Sequence, residues 1–169
     1  MVKFRHFFDR LEELGKQYNH PDVCSHVTIQ EGLTGTIISY HDHRQVFISN
    51  PKVTEDKKTA KTIAERIFIN DYASTFFPSY ISVLWSMAID NSSFTVFFDK
   101  KNSSFNSEII SNACESFGMT HERKKESTNK NFVYFDGGIE SYSKTINTTE
   151  EVFVFVMDIL APLLFLINE

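Results

Sequence analysis

The sequence predicts an α+β fold: an antiparallel β-sheet of hairpins and a meander, with about four helices packed against it, in a two-layer single domain over residues 1–169. Three observations carry this expectation. Helical and period-two hydrophobic spacings alternate along the chain. The strand-like runs come in twos and threes between helices, which builds antiparallel pairs, not parallel crossovers. Finally, 169 residues with 41% apolar and 14% aromatic content and only six Gly can bury a core and do not resemble a disordered chain.

Phe4, Phe7, Phe8, Leu11 and Leu14 recur at helical spacing, with Lys3, Arg5, Asp9, Arg10, Glu12 and Glu13 around the rest of the circumference. This first helix should stop by Asn19-His20-Pro21. Three β-rich runs follow, Ser25 to Gln30, Leu33 to Tyr40 and Gln45 to Ser49, divided by Glu31-Gly32 and by His41-Asp42-His43-Arg44. Thr54 is placed as the N-cap of a second helix, with Glu55 and Asp56 in its first turn and a stripe of Ala60, Ile63, Ala64, Ile67 and Phe68 running to Phe77-Pro78.

From Tyr80 to Ile89 the period is two; Asp90-Asn91-Ser92 turns the chain and Phe94 to Phe98 returns as a hairpin. Phe105, Ile109, Ile110, Ala113 and Phe117 then mark a third helix with Gly118 at its C′ position. A second hairpin is expected from Met119 to Glu126 and Asn131 to Asp136, ending at Gly137-Gly138. Thr148 and Glu151 have the spacing of a capping box for a last helix over residues 149–167, which is apolar on almost every side. That run is short for a bilayer and contains Asp158 and Pro162, so it reads as a core helix, or as one covered in part by a second copy or a partner.

The pattern most suggestive of chemistry is His41-Asp42-His43-Arg44. Its β-forming flanks make it a four-residue hairpin loop with solvent-facing imidazoles, not a metal site. His6, His20, His26 and His121 are scattered, and Cys24 with His26 reads as a structural pair of neighbours on a strand. Neither cysteine has metal-ligand spacing, so Cys24 and Cys114 are expected to be small buried hydrophobes in a reducing compartment. Glu122-Arg123-Lys124, with Asp90 or Asp99, is a faint echo of a metal-dependent nuclease; charged residues guarding a sheet edge explain it more simply. Lys57, Lys58 and Lys61 alternate with acids as on a solvated helical face. No catalytic residue, metal or other cofactor is therefore expected.

The net charge of −5 is concentrated in the last 39 residues, where Asp136, Glu140, Glu150, Glu151, Asp158 and Glu169 face Lys144 alone. An acidic balance of this kind disfavours nucleic acid and membrane as partners and favours a basic protein. The partner-binding residues expected on this basis are Tyr134, Asp136, Glu140, Tyr142, Glu150 and Glu151. The amino terminus is charged and amphipathic with no secretory pattern, so a cytoplasmic location is expected.

Together these readings favour a non-catalytic protein-binding protein: a bacterial immunity protein that binds a cognate nuclease-type toxin and blocks its active or substrate-binding site. A second reading rests on element order. The α-β-β-β-α-β-β-α sequence of residues 4–117 resembles the class I chaperones of type III secretion, which implies a homodimer holding a client segment; the further β-β-α departs from that pattern. A metal-dependent nuclease or hydrolase is the least favoured class.

Overall fold

Phe4, Phe7, Leu11 and Leu14 are buried along one side of α1 (Arg5–Gln17), as their spacing requires, while the acids and bases between them face outward. The computed structural model describes residues 4–33, 35–40, 44–49, 57–86, 92–99, 107–124 and 139–167. The class is α+β with antiparallel sheets, as the sequence predicts. The strands form two sheets where one was expected, and the chain divides into two compact units.

The first unit comprises residues 1–75 and 86–91. Its α1 ends where expected. Asn19 takes a left-handed φ of 55°, and the His20 amide reaches back to the Gly15 carbonyl at 2.8 Å, a Schellman-type closure with Asn at C′. A 3-10 turn (Val23–His26) leads into β1 (Val27–Glu31), β2 (Gly35–Tyr40) and β3 (Arg44–Ser49), an antiparallel meander in that order. Ser25 and His26 thus belong to the turn and not to the strand expected from residue 25, because the Ser25 amide and hydroxyl both bond the Asp22 carbonyl. Thr36, Ile38 and Tyr40 are the buried set of β2.

Helix α2 (Lys57–Phe76) carries the expected stripe, and Ala60, Ile63, Ala64, Ile67 and Phe68 are all buried. Its middle departs from a one-sided pattern: Arg66, Asn70 and Asp71 are also buried. Each therefore needs polar contacts. Arg66 Nη1 donates to the Ser86 carbonyl at 2.9 Å, Asn70 approaches the Tyr40 hydroxyl at 3.5 Å, and Asp71 meets two histidines. The expected N-cap Thr54 and its first-turn acids Glu55 and Asp56 lie outside the described residues, as do Met87 to Asn91.

The second unit holds residues 76–85 and 92–169. β4 (Ile81–Trp85) and β5 (Ser93–Asp99) pair as the expected hairpin, with Ile81, Val83 and Trp85 buried on alternate positions. Helix α3 (Ser107–Ser116) ends on Gly118, whose φ of 90° accommodates the C′ conformation; the Met119 amide bonds the Cys114 carbonyl at 3.0 Å. β6 (Thr120–Lys124) matches the start of the second hairpin, but its partner is β7 (Ile139–Thr145). The expected return strand Asn131 to Asp136 lies outside the described residues. β7 is a central strand, bonded to β5 on one side and β6 on the other in the order β4-β5-β7-β6. A Glu- and Lys-containing heptapeptide has weak strand propensity; pairing on both edges overrides it.

The capping box forms as predicted, with the Glu151 amide on Thr148 Oγ1 and the Thr148 amide on Glu151 Oε2. α4 (Thr149–Phe153) then widens to a π-helical segment (Val154–Leu160) before resuming as α5 (Ala161–Ile167). Pro162 supplies the reason: in a continuous α-helix its ring would press on the Asp158 carbonyl, and the i to i−5 bond from the Ala161 amide to the Val156 carbonyl marks the wider turn that avoids this. Phe155 anchors the helix. It stacks on Phe117 at 4.3 Å with planes 8° apart and meets Phe94 edge-on at 6.0 Å.

Candidate functional site

Of the six residues expected to bind a partner, the four described ones do not form one exposed face. Tyr134 and Asp136 lie outside the described residues. Glu140 and Tyr142 are buried in β7, at 6% and 3% exposure, so neither can anchor a docking surface. Tyr142 is sandwiched by Phe98 and His121, with the His121 ring 4.6 Å away, and burial pushes its phenol above the ordinary range. Glu140 pairs with His121 Nε2. Glu151 is committed to the capping box and lies 3.4 Å from Lys144 Nζ. Of the six, Glu150 alone is placed as an exposed residue.

The acidic surface is instead helical. Over Ser107–Ser116 and Thr149–Ile167 the chain has five carboxylates, Glu108, Glu115, Glu150, Glu151 and Asp158, and no Lys or Arg. Glu108, Glu115, Glu150 and Asp158 are exposed. Between the helices lies an apolar groove of about 390 Å³, walled by Ile109, Ala113 and Phe117 on one side and Ile159 and Leu163 on the other, with Asn112 and Ser116 at its edge. Ile109, Ile159, Val154 and Phe165 are each between 37% and 45% exposed. The last helix is thus core on one side, through Val152, Phe155, Val156, Leu160 and Leu164, and open to solvent on the other. No described helix is long and apolar enough to cross a membrane.

Lys144 locks this arrangement. From β7 its ammonium donates to the Phe117 carbonyl at 2.7 Å and lies 4.1 Å from the centre of the Phe117 ring, beside Glu151. The cation that the sequence shows alone among the C-terminal acids is therefore consumed inside the fold.

The other predicted sites fare differently. His41, Asp42 and His43 lie outside the described residues, as does Asp90. Arg123 and Lys124 are on β6, which is at the edge of its sheet among the described residues. Asp99 is on β5, separated from β6 by β7. Lys57 and Lys61 line a polar hollow with Arg5, His6, Asp9, Arg10 and Glu13, where the bases outnumber the two acids. Cys114 is buried and its thiol is pushed up to about 12 by desolvation, with Glu115 adding to the shift; the Cys24 thiol is also raised, again chiefly by burial.

One constellation was missed by reading along the sequence. His20, in the turn after α1, places Nε2 2.7 Å from Asp71 Oδ2, and His26, in the 3-10 turn, places Nδ1 3.0 and 3.1 Å from the two Asp71 oxygens. His26 thus faces Asp71, and it and Cys24 lie in the 3-10 turn and not on a strand as expected. A sequence separation of 45 and 51 residues hid the meeting; the one local hint was a buried-stripe helix carrying an acid at Asp71.

Comparison of the chain with protein-family models, curated proteins and solved structures finds no match.

Proposed function

We propose that this chain is a non-catalytic protein-binding protein, and that its docking surface is the groove between α3 and the last helix. The observation that carries the reading is the combination found there: exposed Ile109 and Ile159 line the groove on two helices that carry carboxylates and no Lys or Arg. Apolar side chains supply affinity when desolvated, and single-sign charge selects and steers a partner of opposite sign. The occupant is accordingly a basic protein segment with apolar side chains flanked by Lys or Arg. A nuclease-type toxin has such a surface, because its substrate is a polyanion. Neutralisation of a cognate toxin by covering its active or substrate-binding site is therefore the specific activity proposed.

The test pairs the chain with any toxin encoded beside its gene. Copurification and protection of cells expressing that toxin are expected, and both should be lost in Ile159→Glu or Ala113→Glu while the unfolding midpoint stays unchanged. Protection that survives both substitutions would remove the groove from the mechanism. Failure to bind or protect would remove the immunity reading. Light scattering decides the chaperone-like alternative: a dimer disrupted by Ile159→Glu would mean that a second copy occupies the groove.

A further inference from the structure

His20, His26 and Asp71 are brought together by three separate features of the first unit. The Schellman closure of α1 and Pro21 turn the chain so that His20 sits inward at 2% exposure. Gly15 makes the turn possible, since a Cβ there would lie 2.8 Å from the His20 carbonyl oxygen. The His20 ring is held near Phe68 and Tyr72 of α2, and Asp71, fully buried, projects from the same helix. The 3-10 turn then delivers His26, whose side chain is 29% exposed, to the other side of the same carboxylate.

We infer that His20 Nε2, His26 Nδ1 and an Asp71 carboxylate oxygen form a binding site for one divalent transition ion of the Zn²⁺ type. This inference is independent of the docking surface. One imidazole is enough to pair with a buried carboxylate, yet here a second approaches both of its oxygens, and the three ligand atoms all lie within 4.8 Å of one another. A tetrahedral Zn²⁺ with bonds of about 2.0–2.2 Å holds its ligand atoms roughly 3.3–3.5 Å apart. The contacts of 2.7–3.1 Å to Asp71 need to widen by roughly 0.2–0.8 Å to reach that spacing.

Two imidazoles and one carboxylate suit Zn²⁺, Co²⁺ or Ni²⁺ and not Ca²⁺ or Mg²⁺, which take oxygen ligands. Three protein ligands leave a fourth position, and the partly exposed edge at His26 brings water to it. The bound ion would tie the turn of residues 19–26 to α2, so its effect is stabilisation of this unit.

The experiment titrates the metal-free full chain with Zn²⁺ by calorimetry and with Co²⁺ by visible absorption. One ion per chain and a four-coordinate Co²⁺ spectrum are expected. His26→Ala, chosen because that residue is partly exposed, should weaken binding by at least about tenfold, since even the loss of an outer-shell partner costs about 10–100-fold. Asp71→Asn should do the same; if it does not fold, His26→Ala decides alone. Zn²⁺ should raise the thermal midpoint of the native chain and raise that of His26→Ala less at the same concentration. The double variant His41→Ala, His43→Ala should bind normally. Absence of binding, undiminished binding by His26→Ala, or its loss in the His41/His43 variant would each overturn the assignment.

Discussion

Phe117 and Phe155 stack at 4.3 Å with nearly parallel rings, and through that contact the last helix is fastened to the end of α3. Phe155 is fully buried and also meets Phe94, so three elements share one aromatic centre. Truncating it removes both the transferred area and the ring contacts. Phe155→Ala should cost about 3–5 kcal/mol, and Phe155→Leu clearly less, by chemical denaturation. Equal costs for the two would mean that the cavity and ring packing are not what hold the helix.

His20 gives the buried Asp71 carboxylate one of its two imidazole partners. Removing one hydrogen-bond partner of a buried polar group costs about 1–3 kcal/mol because the group left behind stays desolvated. His20→Ala should therefore destabilise the chain by an amount in that range, with the double variant His20→Ala, Asp71→Asn less affected than the sum of its singles. Additive effects in this double-mutant cycle would dissolve the proposed coupling.

Gly15 and Gly118 are required for different reasons. Gly15→Ala drives a Cβ to 2.8 Å from a backbone oxygen, and overpacking of this kind costs about 1–3 kcal/mol. Gly118→Ala meets no atom closer than 3.6 Å and suffers only from its φ of 90°, for which about 1 kcal/mol is expected. Urea midpoints should rank Gly15→Ala as the more damaging. The reverse order would contradict the geometry.

The Cys114 thiol titrates near 12 in the folded chain against an ordinary 9.0, because desolvation disfavours the thiolate. A raised folded value means that its contribution to stability is complete below about pH 9 and fades as pH rises from there through 12. Native protein at pH 8 should leave Cys114 unalkylated by iodoacetamide, while partly exposed Cys24 reacts slowly; in urea both should react. Rapid native labelling of Cys114, located by peptide mapping, would contradict its burial.

The amino-acid sequence by itself determined the helices, the antiparallel class and the helix ends, because those follow from short-range physics. The α1 stripe, the Asn19-His20-Pro21 stop, Gly118 at C′ and the Thr148–Glu151 box are all decided within a few residues of backbone. Tertiary structure decided the rest. β7 became a central strand because neighbours paired with both its edges, and that pairing buried Glu140 and Tyr142, which had looked like surface anchors. It shifted the acidic face onto α3 and the last helix, where helical periodicity could not say which side of an almost wholly apolar segment stays open. It also assembled His20, His26 and Asp71, since side chains 45 or more residues apart meet only when the elements between them have packed.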